Sequence, residues 1–310
     1  MAIEPITREE KLMAKASGED LPEIKPITRR EMFLAKAGGQ DIEVPTPITR
    51  EEMFLQKIAE NGGGSGGGDL DALIDGSLTE ITSNAERVKD NAFYNNNDIT
   101  HVNFPNALSI GNYAFYNTLV YGGVFTGNFP KVTDIKSYAF ASSTTGADVH
   151  VLKEAFFPEV TKMDDYVFYK NTKLERIYFP KLKTISYYAF GTNQGQMILK
   201  SADFPEVTLI KSAAFAGCGW LTKLILRSET MCTLESTYAF NSCFHFHGTV
   251  NANSNPDGLK DGYIYVPRAL IDSYKTATNW VTFADQFRAL EDYTVDGTTT
   301  GELDESKVSL

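Results

Sequence analysis

Several things are scarce in this chain of 310 residues. It has three cysteines and two tryptophans against 20 phenylalanines and 15 tyrosines. Three thiols in a chain of this size do not make a disulfide framework, so the core must hold by packing. Histidine is also rare, at four residues. Basic residues are outnumbered, 29 against 40 acids, for a formal charge of −11. No basic stripe is present to neutralise phosphates, so nucleic acid is not an expected partner. No apolar run approaches the roughly 20 residues that span a bilayer, so no membrane span is expected. The first residues lack a basic stretch followed by an apolar one, so no secretory leader is expected either. Part of the acidity is local. Glu291 to Leu310 holds six acids and one base, and reads as a solvated acidic tail.

What is abundant is repetition, of two kinds. In residues 1–60, Pro-Ile-Thr-Arg recurs at Pro5–Arg8, Pro26–Arg29 and Pro47–Arg50, a period of 21. Each copy opens a helical pattern. Thr7, Thr28 and Thr49 are N-caps, and Glu10, Glu31 and Glu52, three residues on, complete capping boxes. Glycine, Asp or Pro ends each helix after about ten residues, a length marginal without a partner. Two readings stay open. The three are weakly helical beads on a linker, or they are docking helices that anchor the chain through Ile6, Leu12, Ile27, Phe33, Leu34, Ile48, Phe54 and Leu55. Residues 61–68, Asn-Gly-Gly-Gly-Ser-Gly-Gly-Gly, read as a flexible linker and a domain boundary.

The second repeat system fills residues 69–290. Phe-Pro is followed at constant distance by an apolar residue and then Ala-Phe or Val-Phe: Phe104-Pro105 to Phe115, Phe129-Pro130 to Phe140, Phe157-Pro158 to Phe168, Phe179-Pro180 to Phe190, Phe204-Pro205 to Phe215. Phe to Phe is always 11 residues, while successive Phe-Pro pairs lie 25, 28, 22 and 25 apart. Constant core spacing with elastic connectors is the mark of a solenoid. Before each Phe-Pro, period-2 alternation predicts a short strand that the Pro ends. The expected fold is thus an α/β repeat solenoid of stacked short parallel strands, preceded by three short helices on a flexible segment. The phenylalanines should pile into one interior row.

The block Phe-Pro-x-Leu/Val-x-x-Ile-x-x-Tyr-Ala-Phe resembles the BspA-like leucine-rich repeats over about residues 81–295. The closing run from Tyr263 to Trp280 is similar to the usual end of such arrays. That resemblance implies a curved solenoid of the kind found in surface or secreted adhesins, with no catalytic residues. The Pro-Ile-Thr-Arg segments resemble the start of virion structural proteins of phages that infect Gram-positive gut bacteria.

Chemistry is sparse. His245-x-His247 offers two imidazoles but no third ligand, so an ordinary pair is expected rather than a metal site. Cys218 and Cys243 each lie three residues after a repeat Phe, on adjacent coils, and are expected to be reduced rather than bonded. No acid–base couple or nucleophile is set up by spacing, and no cofactor is expected. The candidate ligand face is the set of outward strand positions: His101, Asn103, Thr126, Asn128, Glu154, Phe156, Arg176, Tyr178, Ser201, Asp203, Lys223, Ile225, Tyr263 and Tyr265. The variable connectors 116–127, 141–153 and 191–200 are the rival location. The function expected is non-catalytic recognition. In the leading reading residues 1–60 dock on a virion structural protein, and the solenoid binds a bacterial or mucosal surface protein or glycan. The alternative is a cellular BspA-like adhesin, at the bacterial surface or secreted.

Overall fold

The structure is a computed structural model and describes residues 80–96, 99–118, 126–143, 152–192 and 197–308. Residues 1–60, with the docking positions from Ile6 to Leu55, and the linker at 61–68 lie outside these. The chain divides into two compact units, Met1–Ser83 and Asn84–Leu310. The stacked coils belong to the second.

Three sets of hydrogen bonds tie the coils together, and the two strand rows are interrupted after Asn128, Met163 and Tyr178. The first is a row of strands ending at the repeat Phe: His101–Asn103, Thr126–Asn128, Glu154–Phe156, Arg176–Tyr178, Ser201–Phe204, Lys223–Leu226, Tyr263–Val266 and Phe287–Ala289. They pair in parallel, with His101 opposite Thr126, Glu154 opposite Arg176, and Asp203, Ile225, Tyr265 and Arg288 in one register line. Alternation drives Val102, Ala155, Ala202, Leu224 and Ile264 inward. Proline follows six of these strands or their closing Phe and cannot extend a ladder. The second row is made of two-residue strands such as Ser109–Ile110, Asp134–Ile135, Leu209–Ile210 and Thr233–Leu234, each with its apolar residue buried.

The third ladder runs through the Ala-Phe turns. The amides of Phe93, Phe115, Phe140, Phe168, Phe190 and Phe215 donate to carbonyls of the next coil at 2.7–2.9 Å. This locks the ring-bearing residues at one coil spacing. Their rings stack in the single interior row that the spacing predicts. Phe93, Phe115, Phe140, Phe168, Phe190, Phe215 and Phe240 follow one another at 5.0, 5.1, 5.3, 5.5, 5.6 and 5.8 Å between centroids. Phe104, Phe129, Phe157 and Phe179 form a second stack beside it at 5.4–6.0 Å, meeting the first edge to face or tilted. One coil cannot cover both faces of its own rings, so the stack holds only as a stack.

The array closes on a small aromatic plug. Trp280 and Phe283 are buried against Phe240, and the indole donates to the Cys232 carbonyl at 2.7 Å. The Tyr274 hydroxyl accepts the Cys232 amide at 2.7 Å. All three cysteines are buried and free. Cys218 and Cys243 donate to the carbonyls of Phe190 and Phe215, both at 3.2 Å.

One expectation fails. The residues after 290 are not a solvated tail. Leu290, Tyr293 and Leu303 pack against Ile225 and Tyr265 on the outer side of the first strand row. Thr294 and Leu303 form an antiparallel bridge, and Lys307 donates to the Thr294 carbonyl at 3.1 Å. The charge of this stretch hides a few well-placed apolar side chains, and those decide where it lies.

Candidate functional site

The outward positions of the first strand row fall in three sheets and divide into two unlike parts. At the open part, the Asn128 side-chain amide donates to Asn103 at 2.8 Å across the register. One coil further, Glu154 and Arg176 are ion-paired, with 53% and 73% of their side chains exposed. Pairs so open to solvent add little stability, so this one serves mainly to orient the guanidinium. Beside it Phe156 and Tyr178 stack at 4.7 Å with rings 8° from parallel. They are 58% and 47% exposed, the most open aromatic pair in the row. His101 and Ser201 are half-buried, and Thr126 lies at its expected strand position.

The other part is occupied. Ile225 and Tyr265, expected to face a ligand, are 2% and 1% exposed. They do point outward as alternation requires, but the chain's own residues 290–303 cover them. Tyr263 is half-buried, with the Arg288 guanidinium 4.2 Å above its ring. Arg227 locks the cover in place. It makes three hydrogen bonds of 2.7–3.0 Å to the Asp203 carboxylate and donates to the carbonyls of Thr299 and Gly301 at 2.7 and 2.8 Å. Its side chain is only 11% exposed, where a forked, charge-assisted contact is far stronger than at an open surface. Asp203 thus belongs to an internal anchor, while Lys223 is half-buried beside it.

Arg227 was missed by sequence reasoning, yet a signal exists. The last block reads Leu226-Arg227 where the others read Phe-Pro. A Pro there only stops a strand; an Arg reaches back to the neighbouring coil.

A second feature went unread. On the far side of the interior phenylalanine row, Tyr113, Tyr138, Tyr166 and Tyr188 stack at 4.8, 4.6 and 5.3 Å. All four sit at positive φ, between 50° and 62°, a left-handed conformation that bulky residues rarely take. Burial, helped by a hydrogen bond with Tyr238, pushes the Tyr188 phenol up to about 12, and burial raises that of Tyr166 as well.

The two other candidates take ordinary roles. His245 and His247 lie on a helical turn, Phe244–His247, not on one strand face. The ring nitrogens of His245 face Asp261 at 2.5 Å and the Ser254 carbonyl at 2.9 Å, while His247 meets the Phe240 carbonyl at 3.0 Å. Among the described residues no three His, Cys, Asp or Glu gather as metal ligands. Burial raises the Cys232 thiol to about 12 and lifts those of Cys218 and Cys243 as well, so none is an activated nucleophile. No helix among the described residues is long and apolar enough to cross a membrane.

No curated protein matches the sequence. Among solved structures, a leucine rich cell surface protein from Faecalibacterium prausnitzii A2-165 is 18% identical, with a TM-score of 0.33. The match covers 55% of this chain and 59% of that one, so the chain spans less than two thirds of its length. The family described as BspA type leucine rich repeat region matches in six copies over residues 76–196 and 161–255. These spans cover more than half of the chain and coincide with the stacked coils, so the chain belongs to the BspA-type leucine-rich repeat family.

Proposed function

We propose that this protein is a non-catalytic recognition protein of the bacterial cell surface, which binds its ligand through the open part of the first strand row. The residues that carry the contact are Asn103, Asn128, Glu154, Phe156, Arg176 and Tyr178. One observation supports this above the others: Phe156 and Tyr178 form a stacked aromatic pair that is half open to solvent, beside an oriented guanidinium. Aromatics and arginine at the centre of a patch are the groups that anchor interfaces. Ring pairs elsewhere in the coils are mostly turned inward or half-covered, so an exposed pair on the outer row is not needed to hold the fold. Family membership points the same way, since the repeat is a scaffold whose outward positions vary.

Attachment to a virion through residues 1–60 rests on the three Pro-Ile-Thr-Arg copies alone. The family match begins at residue 76 and does not bear on them. The cell-surface reading is therefore the leading one. Its test is binding of the fluorescently labelled full chain to whole gut bacteria and to mucin-coated wells. A Phe156→Ser/Tyr178→Ser variant should lose roughly tenfold or more in affinity. Equal binding by parent and variant would remove the row as the recognition site.

A further inference from the structure

We propose that the column of Tyr113, Tyr138, Tyr166 and Tyr188 is a modification site, where one-electron oxidation joins rings of successive coils into dityrosine, most readily Tyr138 to Tyr166. The oxidant is hydrogen peroxide acting through a haem peroxidase. The site lies on the turn row and does not depend on any ligand held by the strand row.

The chemistry sets a demand on orientation as well as on distance. Each phenol gives up one electron and its hydroxyl proton and becomes a neutral phenoxyl radical. Two such losses turn one hydrogen peroxide into two waters. The unpaired electron lies in the π system of the ring, with density on the carbons next to the one that bears oxygen. Its lobes point along the ring normal. A carbon–carbon bond between two radicals therefore forms most directly when the rings face each other. Each bonded carbon then releases its hydrogen as a proton through solvent, and its ring oxygen takes one up. Both phenols are restored, and the pair has lost two hydrogens in all.

The column meets that demand. Tyr138 and Tyr166 lie 4.6 Å apart with rings 6° from parallel, and Tyr113 and Tyr138 lie 4.8 Å apart at 3°. The backbone holds them so. The amides of Tyr113, Tyr138 and Tyr166 donate to the carbonyls of Ser137, Asp165 and Tyr187 in the next coil, at 3.1, 3.4 and 2.9 Å. Rings fixed in this way need no search to meet. All four are half-buried rather than enclosed, so they are open to an oxidant in solution. Tyr166 also carries its own control. It faces Tyr188 at 5.3 Å and 6°, but meets Tyr169 at the same 5.3 Å with rings at 90°. Tyr187 is a second edge-on neighbour, at 5.4 Å and 83°. Proximity alone would couple all of these alike; facing rings select Tyr138 and Tyr188.

The test treats dilute full-length protein with a haem peroxidase and limiting hydrogen peroxide. The monomer is then isolated, weighed by mass spectrometry and digested to map the joined peptides. Three proteins are compared: the parent, Tyr138→Phe, and Tyr138→Phe/Tyr188→Phe. The substitutions keep the rings and remove only the hydroxyls. The parent monomer should become lighter by two hydrogens, gain dityrosine fluorescence, and show Tyr138 joined to Tyr166 as its main product. Tyr138→Phe should lose that product and join Tyr166 to Tyr188 instead. The double variant should lose every link within the column. Parent protein in which Tyr166 joins Tyr169 or Tyr187 as often as Tyr138 would overturn the proposal, because orientation would then not matter. So would coupling only between molecules, or oxidation that leaves the parent monomer without a link.

Discussion

Two columns of rings climb the same coils, an inner one of phenylalanine and an outer one of tyrosine. Their geometry is nearly identical: 5.0–5.8 Å between phenylalanine centroids, 4.6–5.3 Å between tyrosines. Their surroundings are not. Phe168, Phe190 and Phe215 are fully buried, whereas Tyr113, Tyr138, Tyr166 and Tyr188 are half-buried and held in left-handed backbone. Stacking distance alone therefore says little about what a column contributes. Burial and backbone strain decide it, and they pull in opposite directions for the two columns.

The comparison is sharpened most by removing one inner ring. Phe168→Ala takes away a buried side chain and leaves a cavity in mid-column, and should cost about 3–5 kcal/mol in urea unfolding. A cost below about 1 kcal/mol would mean that the column is not what holds the coils together. The next effect comes from alkali. Tyr166 and Tyr188 keep their protons in the folded state at a pH where free phenols, near 10, lose theirs. The folded pKa is raised, so this contribution is complete below pH 10 and fades as pH climbs from 10 toward 12. The urea midpoint should fall over that window, and Tyr166→Phe/Tyr188→Phe should flatten the fall. A smaller effect is expected at Tyr138. Tyr138→Gly gives up three ring contacts, to Tyr113, Tyr116 and Tyr166, of about 0.5–1.5 kcal/mol each but removes a left-handed penalty of about 1–2 kcal/mol. The net change should be a loss of about 1–2 kcal/mol. Tyr138→Ala keeps the strain without the rings, and should be less stable than the glycine variant by about 1 kcal/mol.

The inner column was legible because it rests on local, countable facts: an 11-residue spacing and a proline that stops each strand. Outward positions followed from alternation, and Glu154, Phe156, Arg176 and Tyr178 lie where it puts them. Ile225 and Tyr265 also point outward. What covers them could not be read from alternation, because the return of residues 290–303 depends on Leu303 and Tyr293, isolated apolar residues in an acidic run. Charge density outweighed them in a composition argument, although two well-seated side chains and one buried arginine suffice to fix the segment. The tyrosine turns were hidden for another reason. Tyrosine is not a residue that announces positive φ. The clue was Asn91, at the same place in the first coil with φ of 59°, where a left-handed turn is easily adopted. The histidine pair lies on the helical turn Phe244–His247, a placement that two residues and their spacing were too short a pattern to reveal.

The hydrogen bonds that pass from Phe93 to Ala114, Phe115 to Ala139 and onward join one coil to the next. A pull applied to the first coil, away from the rest, would load those bonds one layer at a time rather than all together. Under tension such a protein should peel, shedding single coils at modest force and lengthening before it lets go. In the proposed role at a cell surface, that would make the stack a shock absorber as well as a scaffold.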